Sequence, residues 1–436
     1  MYPAALAAQV KKSWRRSFHR REEIVPLPER KTLTTLLDVA FQSSLTYDEG
    51  RPTRFQVIYC NEDSFVEDDP HGYWNHKRKP IVFEKDLPFD SAHVRRLAPA
   101  TDPSQTLIGV KNVTSNGQDV LRIWGLLDIG SAWFKLMRHE RDFAGTPPEA
   151  FMVTSNEPGH LSVSHGGDVV ATLRAGEIIL PSSNILYSGP IGRFLDSARN
   201  SCYAAASARI SRDRFSDDGD DWPRRYYTII LERILLELEA QGHGGTLLLI
   251  PHEWKDGSHP WNSVVSAKYR MKDDRIWKVL IDELEFHHSY FETYFKIWEA
   301  EEGVSAAEFK DLQSLSDKKD YAKEAMSDVI KFAASLAGVD GAIVMTDRFE
   351  IIGFGAEVTA TAPVLRTVLS CDNAEGTEVN SLSVESFGTR HRAAFRFSWC
   401  LPQVVAFVAS EDGGVRAVRR VGDSVMTWPE VTSSWT

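Results

Sequence analysis

Two short stretches of the chain combine residue types suited to chemistry. Asp340-Gly341-Ala342 puts a carboxylate at a bend where glycine lets the backbone come close to a ligand. Gly388-Thr389-Arg390-His391-Arg392-Ala393-Ala394 puts two guanidiniums and an imidazole behind a Gly-Thr that can open a helix. A helix start leaves N–H groups unpaired and carries partial positive charge, which suits phosphate. Thr389 can cap that helix or offer its hydroxyl to a phosphate oxygen. Arg390 and Arg392 can fork onto phosphates, and His391 can bind phosphate or metal, or relay a proton. Asp340 can hold a divalent cation that also bridges phosphates, or take a proton from a ribose hydroxyl. A third stretch, Ser410-Glu411-Asp412-Gly413-Gly414, sets a hydroxyl, carboxylates and glycines after an apolar strand, where ligands bind in α/β sheets. Taken singly, each of the three reads as an ordinary surface turn.

The elements that must position these residues can be read from periodicity. A helix is expected over Tyr321–Ala337, with Ala325, Val329, Phe332, Ala333 and Leu336 facing inward and Gly338 as its stop. Strands follow at Ala342–Met345 and Glu350–Phe354, then a loop containing Cys371. A helix opens at Gly388–Arg392 and must end before Pro402. A strand at Val404–Ala409 leads into the acidic turn and a final strand or two. This is α/β order, and 321–436 reads as one compact domain. Upstream, 1–50 reads as helical and then irregular. Between 51 and 190, short strands are expected at Phe55–Cys60, Thr106–Val110, Val120–Leu127, Leu161–Ser164, Val169–Leu173 and Glu177–Leu180. Helices are expected at Arg193–Ser211 and at Pro223–Gln241, the latter capped by Asp221 and closed by Gly242. A buried strand follows at Thr246–Ile250, then an aromatic helical stretch over 273–300. The 51–300 region reads as α+β, with 51–190 and 191–300 as possible subdomains. The polar stretch 301–320 is read as the linker.

Together and in this order, the motifs resemble those of the diadenylate cyclase (DAC) domain. That family carries Asp-Gly-Ala after its first long helix, then Gly-Thr-Arg-His-Arg-Ala-Ala, then a Ser-Glu-Glu-Thr-Gly turn. The first two motifs stand intact at 340–342 and 388–394. In the third, Ser410 and Glu411 align, while Asp412 shortens a carboxylate stem and Gly413 loses a hydroxyl. The resemblance covers 321–436. It implies a mixed-sheet domain flanked by helices that joins two ATP molecules into cyclic di-AMP and releases two pyrophosphates with Mg²⁺ or Mn²⁺. Asp340, His391 and Glu411 are the implied metal ligands, and Asp340, Arg390, His391 and Arg392 the implied catalytic set. Gly341, Ala342, Gly355 and Val358 are implied around the nucleoside, and Gly388, Thr389, Ser410 and Glu411 around the phosphates. Each subunit holds one ATP, so a second copy of the chain must face the first. The larger upstream region, with its Gly-Gly-Thr-Leu-Leu-Leu-Ile-Pro stretch, resembles the sensor domains that precede some bacterial cyclase domains, including the type called DACNV. Its ligand is left open. A nucleotide-binding module without turnover, a synthase of another cyclic dinucleotide and a protein scaffold remain alternatives.

The whole chain is consistent with this. Its 436 residues suggest two or three domains, and 42% hydrophobic with 25% charged residues is globular composition. A net charge of −11 argues against a nucleic-acid partner. No apolar run reaches the about 18 residues of a membrane helix. Cys60, Cys202, Cys371 and Cys400 show no metal spacing and read as reduced thiols of a cytoplasmic protein. The basic run from Lys11 through Arg21 reads as a solvated helix or frayed arm. Ser216–Asp221 lacks the ligand spacing of a calcium loop. His287, His288 and Glu283 do not make a metal site. The helix–turn–strand around Gly244 echoes that around Asp340, which raises the possibility that 200–300 is a degenerate second copy of the cyclase unit.

Overall fold

The structure, a computed structural model, describes residues 3–14, 26–65, 79–102, 104–115, 117–130, 133, 148–174, 176–180, 185–210, 221–256, 261–299, 305–360, 365–411 and 414–432. The chain divides into two units, Met1–Pro181 with Ser433–Thr436, and Ser182–Thr432. Each is built on one large sheet with helices, so the fold is α/β with mixed strand directions.

Unit 1 begins with α1 (Pro3–Ser13) and α2 (Arg30–Ser44), followed by the short pair β1 (Tyr47–Asp48) and β2 (Arg51–Pro52). Its sheet contains β3 (Phe55–Tyr59), β4 (Lys79–Pro88), β5 (Thr106–Ser115), β6 (Gln118–Asp128), β7 (Phe151–Ser155), β8 (Leu161–His165), β9 (Asp168–Arg174) and β10 (Glu177–Ile179). Their order is β10-β9-β8-β7-β3-β5-β6-β4, and α3 (Ser91–Leu97) lies between β4 and β5 in sequence. β4 carries prolines near both ends and sits at the edge, where a missing N–H leaves no broken ladder. One sheet face packs against Leu6, Val10, Leu33, Leu36 and Leu37 of α1 and α2. The N-terminal helices are therefore core elements, not a frayed arm. Lys11 and Lys12 stay exposed while Trp14 is buried beside Phe151. The rest of the basic run lies outside the described residues, as does most of the 216–221 acidic loop.

Unit 2 contains α4 (Gly189–Arg209), α5 (Trp222–Ala240), β11 (Gly245–Ile250), α6 (Trp261–Val264), β12 (Val265–Asp273), α7 (Arg275–Trp298) and α8 (Ala306–Ser335). Then come β13 (Ala342–Thr346), β14 (Ile351–Val358), β15 (Thr367–Cys371), β16 (Val379–Ser383), α9 (Thr389–Cys400), β17 (Val405–Ala409), β18 (Val415–Val421) and β19 (Ser424–Trp428). The nine strands are ordered β12-β14-β13-β11-β17-β18-β19-β15-β16. β11 is buried throughout, with Leu247–Ile250 apolar, because both of its faces are covered. Leu247 and Leu249 join the cluster built with α4, α5, α7 and α8, whereas Leu248 and Ile250 join Ala394, Phe395 and Phe397 of α9.

This arrangement corrects the expected domain limits. β11 and β12 belong to the same sheet as β13 and β17, so the 321–436 segment is not a separate domain, and the boundary falls at 181/182. The upstream unit is the smaller of the two. The 301–320 stretch is not a linker between units. From Ala306 it forms the solvated first half of the 30-residue α8, which no glycine or proline interrupts. A capping box starts that helix: Ser305 Oγ accepts from Glu308 N at 3.2 Å, and Ser305 N donates to Glu308 Oε2 at 2.9 Å. The helix–turn–strand segments around Gly244 and Asp340 lie side by side, since β11 and β13 are neighbouring parallel strands of one sheet. Asp221 does occupy the N-cap position of α5, but its carboxylate accepts from Arg224 Nη1 at 2.7 Å, not from the backbone. Cys371 ends a strand instead of lying in a loop.

Candidate functional site

Strand register assembles the site. β11 runs parallel to β13 with Leu247 opposite Ile343, and antiparallel to β17 with Gly245 opposite Ala409. Continuing both registers by one or a few residues sets Asp340, Gly244 and Ser410 in one row at the same end of the sheet. Distant parts of the sequence thereby meet. Asp340 is exposed and follows a one-turn 3₁₀ segment, Leu336–Gly338, that ends α8.

Gly341 has φ of +122°, and a Cβ there would lie 2.5 Å from the Gly355 carbonyl carbon and 2.7 Å from Ala356 N. Its glycine is required by strand-on-strand approach, because Ala342 pairs with Ala356 across β13 and β14. Strand packing is thus a second requirement for glycine here, beside the expected approach of a ligand. Gly355 is buried under Val339, and Val358 is half-buried on the α9 side of the sheet. Gly341, Ala342 and Gly355 thus pack tightly together beside Asp340.

The N-terminus of α9 provides the cations. Gly388 is the N-cap, with φ −67° and ψ 172°, and no side chain caps the helix, so Thr389 is the first helical residue and not the cap. The first helical hydrogen bond runs from Arg392 N to Gly388 O, 3.1 Å. Thr389, Arg390 and Arg392 are exposed. Arg390 crosses to the turn after β17 and donates from Nη1 to Glu411 Oε1 at 2.9 Å. An ideal Cβ on Gly244 would lie 3.0 Å from that same Nη1 and 3.3 Å from Glu411 Cγ, so Gly244 makes room for the pair. The sequence did not mark Gly244 as a site residue. Its signal was the Gly-His-Gly-Gly turn before β11, where Gly244 has φ of +67°.

His391 does not behave as a third cation. Burial, then the nearby Arg416 and Arg390 guanidiniums, push its pKa down to about 4. The neutral ring sits 5.5 Å from Phe387, which Arg416 also covers at 5.4 Å, and its Nε2 is buried without a hydrogen-bond partner. Among the described residues no group of three His, Cys, Asp or Glu side chains is placed to hold a metal. The expected trio Asp340, His391 and Glu411 is therefore not a ligand set within one chain. A Mg²⁺-type ion needs only one or two carboxylates when phosphates complete its shell. Asp340 fits that requirement, as does Glu411 once released from Arg390, whereas His391 does not.

A residue the motifs did not reveal steadies the Ser410 turn. Glu239 of α5 is buried and accepts from Gly414 N at 2.5 Å and from Thr432 Oγ1 at 2.9 Å. Ser410 N in turn donates to Gly414 O at 3.1 Å. Asp412 and Gly413 lie outside the described residues. Elsewhere, Glu283 accepts from the Tyr226 hydroxyl and His287 stacks on Trp222 at 5.4 Å, so that cluster serves packing. The four cysteines are free, and burial raises the thiols of Cys60 and Cys202 to about 12, which makes them unreactive. Among the described residues no helix is long and apolar enough to cross a membrane.

Comparison with known families finds that residues 22–128 match the family described as "Probable sensor domain DACNV". The matched stretch lies within unit 1. The Gly-Gly-Thr-Leu-Leu-Leu-Ile-Pro stretch that had suggested this type lies instead in the centre of the other unit's sheet. No curated protein matches the chain.

Proposed function

We propose that unit 2 is a diadenylate cyclase, joining two ATP molecules into cyclic di-AMP with release of two pyrophosphates, and that unit 1 regulates it as a sensor. One observation carries the reading: an uncapped helix start bearing Arg390 and Arg392 stands against the sheet end that also holds Asp340 and Ser410. The exposed N–H groups of α9 and the two guanidiniums suit a triphosphate. The partly exposed Gly341, backed by the close-packed Ala342 and Gly355, suits a nucleoside beside Asp340. In this reading Asp340 accepts the proton of an attacking ribose 3′-hydroxyl, and Arg390 and Arg392 neutralise the departing pyrophosphate. Asp340 would help hold a Mg²⁺ or Mn²⁺, which would supply further charge neutralisation. Positioning and charge supply most of the rate in such a transfer. Each 3′-hydroxyl must reach the α-phosphorus of the other ATP, so the active form requires a second copy of the chain.

Incubation with ATP, with GTP and with Mg²⁺ or Mn²⁺, followed by mass identification of products, tests the reading. Cyclic di-AMP is expected from ATP, and its loss in Asp340→Asn with ATP binding partly retained. A different cyclic dinucleotide would redirect the substrate assignment, and equal turnover in Asp340→Asn would remove Asp340 from the chemistry. The Arg390–Glu411 ion pair favours a second reading, a nucleotide-binding module without turnover, in which that pair persists.

A further inference from the structure

Unit 1 carries a feature that packing alone does not account for. Its sheet has one face against α1 and α2, and on the opposite face a row of polar side chains crosses four adjacent strands. Register aligns Gln56 of β3 with Thr154 of β7, Thr154 with Ser162 of β8, and Ser162 with Thr172 of β9. Strand spacing of about 4.8 Å makes this row roughly 14 Å long. Ser164 and His160 lie on the same face by alternation. A solvated sheet face would explain polar residues, but this face is buried: Gln56 is 1% exposed, Thr154 3%, His160 2% and Ser164 1%.

The row does not satisfy itself. Ser162 Oγ and Thr172 Oγ1 are 3.2 Å apart. Neither the amide nitrogen nor the amide oxygen of Gln56 has a hydrogen-bond partner, and neither do Thr154 Oγ1 or Ser164 Oγ. Buried polar groups are almost always paired, so four such atoms on one face are a concentrated exception. His160 adds a fifth. Its Nε2 lies 3.3 Å from Ser162 Oγ and 3.5 Å from Arg174 Nη2; the guanidinium can only donate and the hydroxyl can do so too, so the ring proton belongs on Nδ1, which has no partner. Burial and the Arg174 charge hold the ring neutral, with its pKa near 3. The unpartnered groups are therefore all uncharged and include donors, an acceptor and hydroxyls that serve as either. On the same face, Leu107 continues the row beside Gln56, next to the apolar cluster of Trp124 and Met152. Polar groups converging at the margin of an apolar patch are characteristic of small-molecule sites.

We propose that this face of unit 1 binds a small uncharged polar molecule through Gln56, Thr154, Ser164 and His160. The chemistry is neutral donor–acceptor pairing, which a carboxamide or a polyol can supply. Saturation-transfer NMR on the full chain, with nicotinamide as the amide probe and myo-inositol as the polyol probe, separates the two. Binding in one arm is expected. Gln56→Leu combined with Thr154→Val should weaken it about tenfold or more through lost hydrogen bonds, while the melting temperature holds or rises as orphaned polar groups disappear. Should the double variant fold poorly, Ser164→Ala provides the same comparison with a smaller change. No transfer in either arm at millimolar probe, binding that survives the substitutions, or a high-resolution structure of the full chain with both probes supplied that shows only ordered water along the row would each overturn the proposal. None of these outcomes depends on turnover in unit 2.

Discussion

Gly244→Ala tests whether the sheet end and the α9 start form one phosphate site. Gly244 has φ of +67°, a left-handed conformation that costs an alanine about 1 kcal/mol or slightly more. The new methyl would meet Ala409 O at 3.0 Å, Arg390 Nη1 at 3.0 Å and Glu411 Cγ at 3.3 Å. The last two are ends of exposed, flexible side chains and can yield, so the fold should lose roughly 1–2 kcal/mol. For a unit of this size that is roughly 3–6 °C in melting temperature. Moving Arg390 is the larger consequence. Its exposed ion pair with Glu411 contributes at most about 1 kcal/mol to stability. A charge-assisted hydrogen bond to phosphate is worth about 1.5–3 kcal/mol, so ATP affinity should fall roughly 10- to 100-fold. Calorimetric titration of ATP and a thermal melt separate the two effects. Arg390→Ala should reproduce the affinity loss without the loss of stability. Gly244→Ala that binds ATP as the parent does, while Arg390→Ala does not, would refute the shared site. Gly341→Ala is the contrasting control. There the clash is with the backbone of β14 at 2.5–2.7 Å, which no side-chain movement relieves, so unit 2 should fail to fold or lose more than about 3 kcal/mol.

Two further predictions concern protonation. Burial raises the Asp347 carboxyl to about 6 although it accepts from His252 N at 2.9 Å. A carboxyl raised above its unfolded value stabilises most below about pH 4, and that contribution is lost as pH rises through 6. Asp347→Asn keeps the acceptor oxygen and should stabilise unit 2 by roughly 2 kcal/mol at pH 8 with no gain at pH 4, as denaturant titrations at both pH values would report; an equal effect at both would contradict the burial argument. His391 runs the other way. Its depressed pKa makes its stabilising contribution complete above pH 6.5 and lost as pH falls toward 4. NMR titration should find its ring protonating near pH 4, and a midpoint near 6.5 would restore it as a cation for phosphate.

Much of the local structure was legible from periodicity. The apolar repeats of α5 and the apolar run of β11 declare themselves without tertiary information, as does the helix opened by Gly388-Thr389 and closed before Pro402. So does the likeness of the Asp340 and Arg390 motifs to one family, because those motifs are contiguous. Strand order and domain limits were not legible, because they depend on pairings between residues far apart in sequence. β11 and β13 lie almost a hundred residues apart, and their register alone brings Gly244 to the level of Asp340. The same pairing moved the boundary to 181/182, and the presumed linker is the first half of α8. Residue type also misstated charge at one position. His391 sits in a motif of cations, but burial beside Arg416 removes its proton. Short-range pattern therefore determined which elements form and which residues are candidates for chemistry. Only the folded sheet decided which of them meet, that Glu239 steadies the Ser410 turn, and that Gln56 and Thr154 share a buried face, because register and burial arise from contacts the linear order does not contain.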